Sequence, residues 1–225
     1  MPPRKRSVGA FFDVDKTILS QNSGALYMRA LYDRGEVEWP ELLSNLASYL
    51  RYKLDLLDIE RWTRRALGRF EGQREEALIQ ESELWFETYV RPTIYPEALE
   101  LVRGHQAAGH VVALVSGATR YVSQPLADYL NVKHVMHTRL EVRAGRLTGR
   151  VIEPLCFGEG KVYWLKQLIE AEQIDLARSH FYTDSITDLP LLDLVGHPEV
   201  VNPDPLLYRR AIARRWPIRF FEMPN

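Results

Sequence analysis

Apolar residues along this chain follow two different spacings. Val8–Phe12 is a short apolar run that stops at Asp13-Val14-Asp15-Lys16-Thr17. Such a run predicts a strand buried on both faces of a parallel sheet, with polar residues at its carboxyl end. From Ser23 to Val90 no strand-like run occurs. Apolar positions there recur at helical spacing, as Leu42, Leu43, Leu46, Tyr49 and Leu50, and again as Ile59, Trp62, Ala66 and Leu67. Asp55 and Asp58 suit helix starts and Gly72 a break, so about four helices and no sheet are expected in this stretch.

Pro92 and Pro96 mark the return to short apolar runs. A helix over 97–108 leads through Gly109 to a strand over His110–Val115, which ends at Ser116-Gly117. A helix over Val122–Leu130 and a strand over His134–His137 follow, then a hairpin of Leu140–Arg143 with Arg146–Arg150 turning at Ala144-Gly145. Beyond Gly158 and Gly160, Lys161–Ala171 is helical and Ser179–Thr183 is a strand ending at Asp184. Leu189–Val195 reads as helix and Val200-Val201 as a last short strand. Strands alternating with helices predict an α/β fold with a doubly wound parallel sheet. Its core spans 7–19 and 92–225, an α-helical segment over 20–91 is inserted after the first strand, and 1–6 form a flexible tail.

Composition narrows the class. At 46% hydrophobic and 26% charged, the 225 residues are those of an ordinary globular protein rather than a disordered chain. Lys plus Arg (29) balances Asp plus Glu (30), which argues against a uniformly basic nucleic-acid binder; no nucleic-acid partner is expected. Cys156 stands alone, so an intramolecular disulfide and a multi-cysteine zinc site are excluded. No stretch approaches the roughly 18 apolar residues of a membrane span. Asp13, Asp15 and Lys16 interrupt the run behind the basic Met1–Arg6 segment, unlike a signal peptide. A cytoplasmic protein without stable membrane insertion is expected, its oligomeric state left open.

Three expected strands end in polar residues: Asp13 and Asp15, Ser116, and Asp184. In open α/β sheets the crevice outside the carboxyl ends of the strands is where ligands bind, so distant positions can converge there. Two acids at i, i+2 can share such a crevice, one facing a metal and electrophile, the other a leaving group. They can equally cap a helix. Lys161 behind Gly158-Glu159-Gly160 can place an ammonium and loop N–H groups against an anion, although no Walker A loop is present. Asp184-Ser185-Ile186-Thr187-Asp188 supplies two carboxylates, hard ligands of the kind Mg²⁺ takes.

In this order the segments resemble the haloacid dehalogenase superfamily, and within it the phosphoserine-phosphatase-like branch (subfamily IB). Phe11–Ile18 is similar to its first motif, Val115-Ser116-Gly117-Ala118 to its second, Lys161 to its third and Tyr182–Asp188 to its fourth. Segment 20–91 then sits where this branch carries its helical cap. The resemblance implies a Mg²⁺-dependent phosphatase that hydrolyses a small phosphomonoester. Asp13 would be the nucleophile that forms an aspartyl-phosphate, and Asp15 the general acid and base. Mg²⁺ would be held by Asp13, the carbonyl of Asp15, Asp184 and, directly or through water, Asp188. Ser116, Gly117 and Lys161 would bind the phosphoryl group, with Thr17 shaping the loop. Two departures stand out: Asn22 occupies the position of the acid that reads the substrate amine, and Thr187 that of an Asn. The first argues against phosphoserine as substrate. A phosphotransferase and a weakly catalytic phosphate- or phospholipid-binding protein are the alternatives.

Outside the motifs, Arg51, Arg61, Arg64, Arg65 and Arg69 and the cluster Arg209, Arg210, Arg214 and Arg215 read first as solvated helical faces, and second as contacts for an anionic group. Six histidines are scattered; His134 and His137, at i, i+3 on a strand, face opposite sides. Cys156 reads as a packing residue.

Overall fold

The computed structural model describes residues 6–36 and 67–224. Its centre is a seven-stranded sheet in the order β4-β3-β2-β1-β5-β6-β7. The strands are β1 (Gly9–Phe12), β2 (Val111–Thr119), β3 (His134–Arg143), β4 (Arg146–Ile152), β5 (His180–Thr183), β6 (His197–Val201) and β7 (Ile218–Arg219). All neighbours pair parallel except β3 with β4, the expected hairpin. Its turn holds Ala144 at φ 49° and Gly145 at φ 73°, the two positive angles that a two-residue hairpin turn needs.

Every residue of β1 is buried, because β1 is central and covered on both faces. Phe11 and Phe12 point to opposite sides, as successive strand residues must. Phe12 packs with Leu26, Ala30, Trp85, Val102, Leu114, Leu126 and Tyr182. Phe11 packs with Val115, Leu165, Phe181, Leu191, Val200 and Leu207. The first face is covered by α1 (Ser23–Asp33), α2 (Glu75–Trp85), α3 (Pro96–Ala107) and α4 (Arg120–Leu130). The second is covered by α5 (Glu159–Ala171), α6 (Leu189–Leu192) and α7 (Pro205–Arg214). From β1 the sheet grows outward through β2, β3 and β4 on one side and then through β5, β6 and β7 on the other. The order thus reverses beside β1, the switch point at whose carboxyl end ligands bind in open α/β sheets.

Helix starts follow the local chemistry. The Asn22 side chain accepts from Ala25 N–H at the head of α1, and Asp204 accepts from Leu206 and Leu207 at the head of α7. Several expected boundaries move. The strand expected to stop at Val115 continues to Thr119, with an irregularity in its pairing to β3 between these residues. Ser116 and Gly117 are thus strand residues, held there by Thr138 Oγ1 donating to the Gly117 carbonyl at 2.8 Å. The two segments expected at His134–His137 and Leu140–Arg143 are one strand. Helix α5 starts at Glu159, which places Lys161 inside its first turn rather than at its start. Strand β7 had no sequence signal: at two residues it is too short for one.

Of the segment expected to be helical over 20–91, α1 and α2 are described. The periodic runs over Leu42–Leu50 and Ile59–Ala66, with Arg51, Arg61, Arg64 and Arg65, lie outside the described residues, as do residues 1–5 of the expected tail. Among the described residues no helix is long and apolar enough to cross a membrane.

Candidate active site

The crevice at the carboxyl end of β1 collects residues from four parts of the chain. Asp13 follows β1 directly, and its N–H extends the ladder by donating to the Tyr182 carbonyl at 2.9 Å. The chain then turns tightly: Thr17, Ile18 and Leu19 N–H groups all converge on the Val14 carbonyl, with Lys16 at φ 59°. On the other side of the crevice, Thr183 ends β5 and a short 3-10 turn over Ile186–Asp188 brings Asp188 back over it. The Asp184 carbonyl accepts from Asp204 N–H at 2.7 Å, and Asp204 accepts from Ile186 N–H at 2.7 Å. That brace fixes the loop.

Lys161 joins these pieces. Its Nζ donates to Asp13 Oδ1 at 2.5 Å and to Asp188 Oδ2 at 2.7 Å, and all three side chains are buried. Thr183 Oγ1 adds a 2.6 Å donation to Asp188 Oδ2. Burial pushes the Asp13 carboxyl up to about 7, and the negative charge of Asp188 and Asp15 adds to the push that Lys161 opposes. Asp184 is pushed well above the ordinary carboxylate range by burial and then by Asp13. For Lys161 burial acts downward, but Asp13 and Asp188 outweigh it and the ammonium ends above the ordinary lysine value.

Asp15 is held differently. Its Oδ1 accepts from Ser23 N–H at 2.9 Å, and its Oδ2 from Asn22 Nδ2 at 2.9 Å and Ser23 Oγ at 3.1 Å. Burial raises its pKa, with the Ser23 bonds acting against the rise. Ser116 is buried and its Oγ accepts from Ala118 N–H at 3.1 Å, while Gly117 turns its carbonyl to Thr138. Thr17 is buried with an Oγ1 that has no hydrogen-bond partner.

The structure thus brings Asp13, Lys161 and Asp188 into direct contact and places Asp184 within electrostatic reach of them. It also shows residues that sequence reasoning missed. Ser23 and Thr183 orient two of the carboxylates, and Asn22 serves Asp15 as well as capping α1. The capping signal of Asn22 was readable; its turn toward Asp15 was not.

A divalent cation suits this donor set. Several carboxylates share the crevice with the Lys161 ammonium, and Asp188 Oδ1 is a buried acceptor with no hydrogen-bond partner. Hard carboxylate oxygens of this kind are ligands for Mg²⁺.

Comparison with known proteins agrees with the geometry. The pattern of the haloacid dehalogenase-like hydrolases matches residues 10–193. A "probable phosphatase Rv3661" of Mycobacterium tuberculosis (strain H37Rv) is 32% identical over 99% of this chain and 78% of its own. A histidinol-phosphatase of Neisseria meningitidis serogroup C is 31% identical over 95% of this chain and 98% of its own. Among solved structures, a protein of unknown function from Bordetella pertussis Tohama I has a TM-score of 0.85 at 32% identity, over 95% of this chain and 98% of that one. The chain belongs to the haloacid dehalogenase-like hydrolase family.

Proposed function

We propose that the protein is a Mg²⁺-dependent phosphoric monoester hydrolase acting on a small phosphomonoester through an aspartyl-phosphate. The observation that carries this reading is the Lys161 ammonium bridging Asp13 and Asp188, residues drawn from three separate segments to one buried point. An ammonium there neutralises charge on a carboxylate and on phosphoryl oxygens beside it, which a carboxylate nucleophile attacking a phosphate requires.

In this mechanism the Asp13 carboxylate attacks phosphorus in line as the leaving alcohol departs. Asp15 protonates that alcohol, then takes a proton from the water that hydrolyses the aspartyl-phosphate. Burial favours the protonated Asp15 carboxyl that the first step needs, and Asn22 and Ser23 keep it in place. Ser116, the neighbouring Gly117 and Lys161 bind the phosphoryl oxygens, and Thr17 shapes the loop below them. Asp13, the Asp15 carbonyl, Asp184 and Asp188 would hold Mg²⁺, which when bound lowers the repulsion between nucleophile and phosphate. Segment 20–91, whose sequence has helical periodicity, would act as a cap that closes over the substrate and confers specificity.

Asn22 bears on the substrate. Its amide is spent on Asp15 and the head of α1, so no carboxylate is offered there to a substrate ammonium. Phosphoserine is therefore not the substrate we propose. The likeness to a histidinol-phosphatase makes other alcohol and amino-alcohol phosphates the first members of a test panel. Phosphate release from that panel, with Mg²⁺ and after chelation, is the test. Turnover on at least one member that stops on chelation is expected; folded protein that releases phosphate from none would overturn the proposal.

A further inference from the structure

Two histidines five residues apart, His105 and His110, meet the distant His180 at the opposite end of the sheet. His105 lies in the last turn of α3, His110 in the turn before β2, and His180 opens β5. Among the described residues they are the one group whose potential metal-ligating atoms all lie within 4.8 Å of one another. Their ring centroids are 4.8, 5.0 and 5.9 Å apart. We infer that His105, His110 and His180 form a binding site for a divalent transition cation of the Zn²⁺ type, separate from the phosphatase crevice. His180 and Asp184 flank the length of β5, a separation of about 13 Å along an extended strand.

The hydrogen bonds around the trio set it up for this. Tyr182 donates its phenolic hydrogen to Glu199 Oε1 at 3.0 Å, so its oxygen accepts from His105 Nε2–H at 2.9 Å. His105 therefore carries its proton on Nε2 and an accepting lone pair on Nδ1. That lone pair faces His110 Nδ1 at 2.7 Å. Arg219 Nε holds the second oxygen of Glu199 at 2.6 Å. A ligating histidine whose outer N–H is tied to a carboxylate relay is the usual arrangement around protein-bound zinc. On the third side, His180 Nδ1 is buried without a hydrogen-bond partner, 3.5 Å from Glu199 Oε1.

Binding would draw the three rings together and turn them toward the ion, since their ligating atoms now spread over as much as 4.8 Å. Two nitrogens bound to one tetrahedral Zn²⁺ stand about 3.3 Å apart, so the His105–His110 contact would open by roughly half an ångström. His110 would shift its proton from Nδ1 to Nε2, with no change in charge. Three imidazoles select zinc, copper, cobalt or nickel over magnesium or calcium, which prefer oxygen. Bound there, the cation would pin α3 to the amino ends of β2 and β5 and stabilise the folded state by mass action.

The test compares the chelator-treated full chain with the variant His110→Gln/His180→Gln, both supplied with Mg²⁺ and titrated with Zn²⁺ against a chromogenic competitor. Wild type should take up one more Zn²⁺ than the variant, and Zn²⁺ should raise the melting temperature of wild type alone. Co²⁺ in its place should give tetrahedral d–d bands that the variant lacks. Should the double variant fail to fold, His110→Gln in its turn gives the same comparison, with affinity at least about tenfold weaker than wild type. Equal Zn²⁺ uptake and equal melting shifts in wild type and variant, or no uptake by either, would overturn the inference and show the trio to be a neutral hydrogen-bonded stack. None of these readouts depends on turnover, so the phosphatase proposal stands or falls separately.

Discussion

Asn22 and Asp15 share a 2.9 Å hydrogen bond, donated by the Asn22 amide to Asp15 Oδ2, while the Asn22 carbonyl oxygen caps helix α1. One side chain thus couples the start of the first helix to the carboxyl proposed as general acid. The helix cannot shift its first turn without moving Asp15, because Ser23 at that turn supplies two further bonds to it.

Replacing Asn22 separates the two duties. Asn22→Ser keeps a good helix cap, so thermal stability should change little, by a few tenths of a kcal/mol. Asp15 loses its amide donor, and kcat should fall by roughly ten- to a hundredfold, within the range that acid–base catalysis contributes. Steady-state kinetics beside a melting curve would check both halves. Unchanged kcat would show that Ser23 alone suffices.

Asp13 and Lys161 should respond in opposite ways. Burial already disfavours the Asp13 carboxylate, so Asp13→Asn should leave stability unchanged or improved while abolishing phosphate release. Lys161→Met removes the ammonium between two buried acids and should cost about 3–5 kcal/mol as well as activity. Chemical denaturation of the two variants, run with phosphate release, distinguishes nucleophile from counter-ion.

Gly160 is where α5 passes against the loop before it. A Cβ there would stand 1.8 Å from the Leu155 carbonyl oxygen, a backbone atom that cannot step aside. Gly160→Ala should lose about 1–3 kcal/mol and, by displacing the neighbouring Lys161, most of the activity. Gly104, with open space around it, is the control: Gly104→Ala should melt at or above the wild-type temperature.

His105 gives a pH signature to the metal-free protein. Burial, followed by the charges of His180 and His110, lowers its pKa from 6.5 to about 4. Above 6.5 it is neutral folded and unfolded and contributes nothing. As pH falls from 6.5 toward 4 the unfolded chain takes up a proton that the folded chain refuses, so stability is lost across that window. Chelator-treated wild type should therefore lose stability on acidification relative to His105→Gln, measured by urea unfolding at a series of pH values. Parallel curves would refute it.

Much of the site was legible because strand ends are. The Val8–Phe12 run, the apolar His110–Val115 and Ser179–Thr183 stretches, and the acids and Ser116 placed after them belong to a sheet whose carboxyl edge gathers polar groups. Asn22 was seen as a departure from the expected acid, but not that it would hold Asp15. The six histidines read as scattered because 105, 110 and 180 share no spacing; only the crossover from α3 through β2 to β5 brings three of them together.

The sequence alone determined the alternation of elements, the hairpin at Ala144-Gly145 and the identity of the acids beside the crevice. Hydrophobic period, turn chemistry and residue type act over a few positions and are written locally. Only the tertiary structure decided that Lys161 would stand between Asp13 and Asp188, that Ser116 and Gly117 would lie within a strand, and that three histidines would form one cluster. Those outcomes depend on strand order, and strand order is set by which faces must be buried against each other across the whole chain.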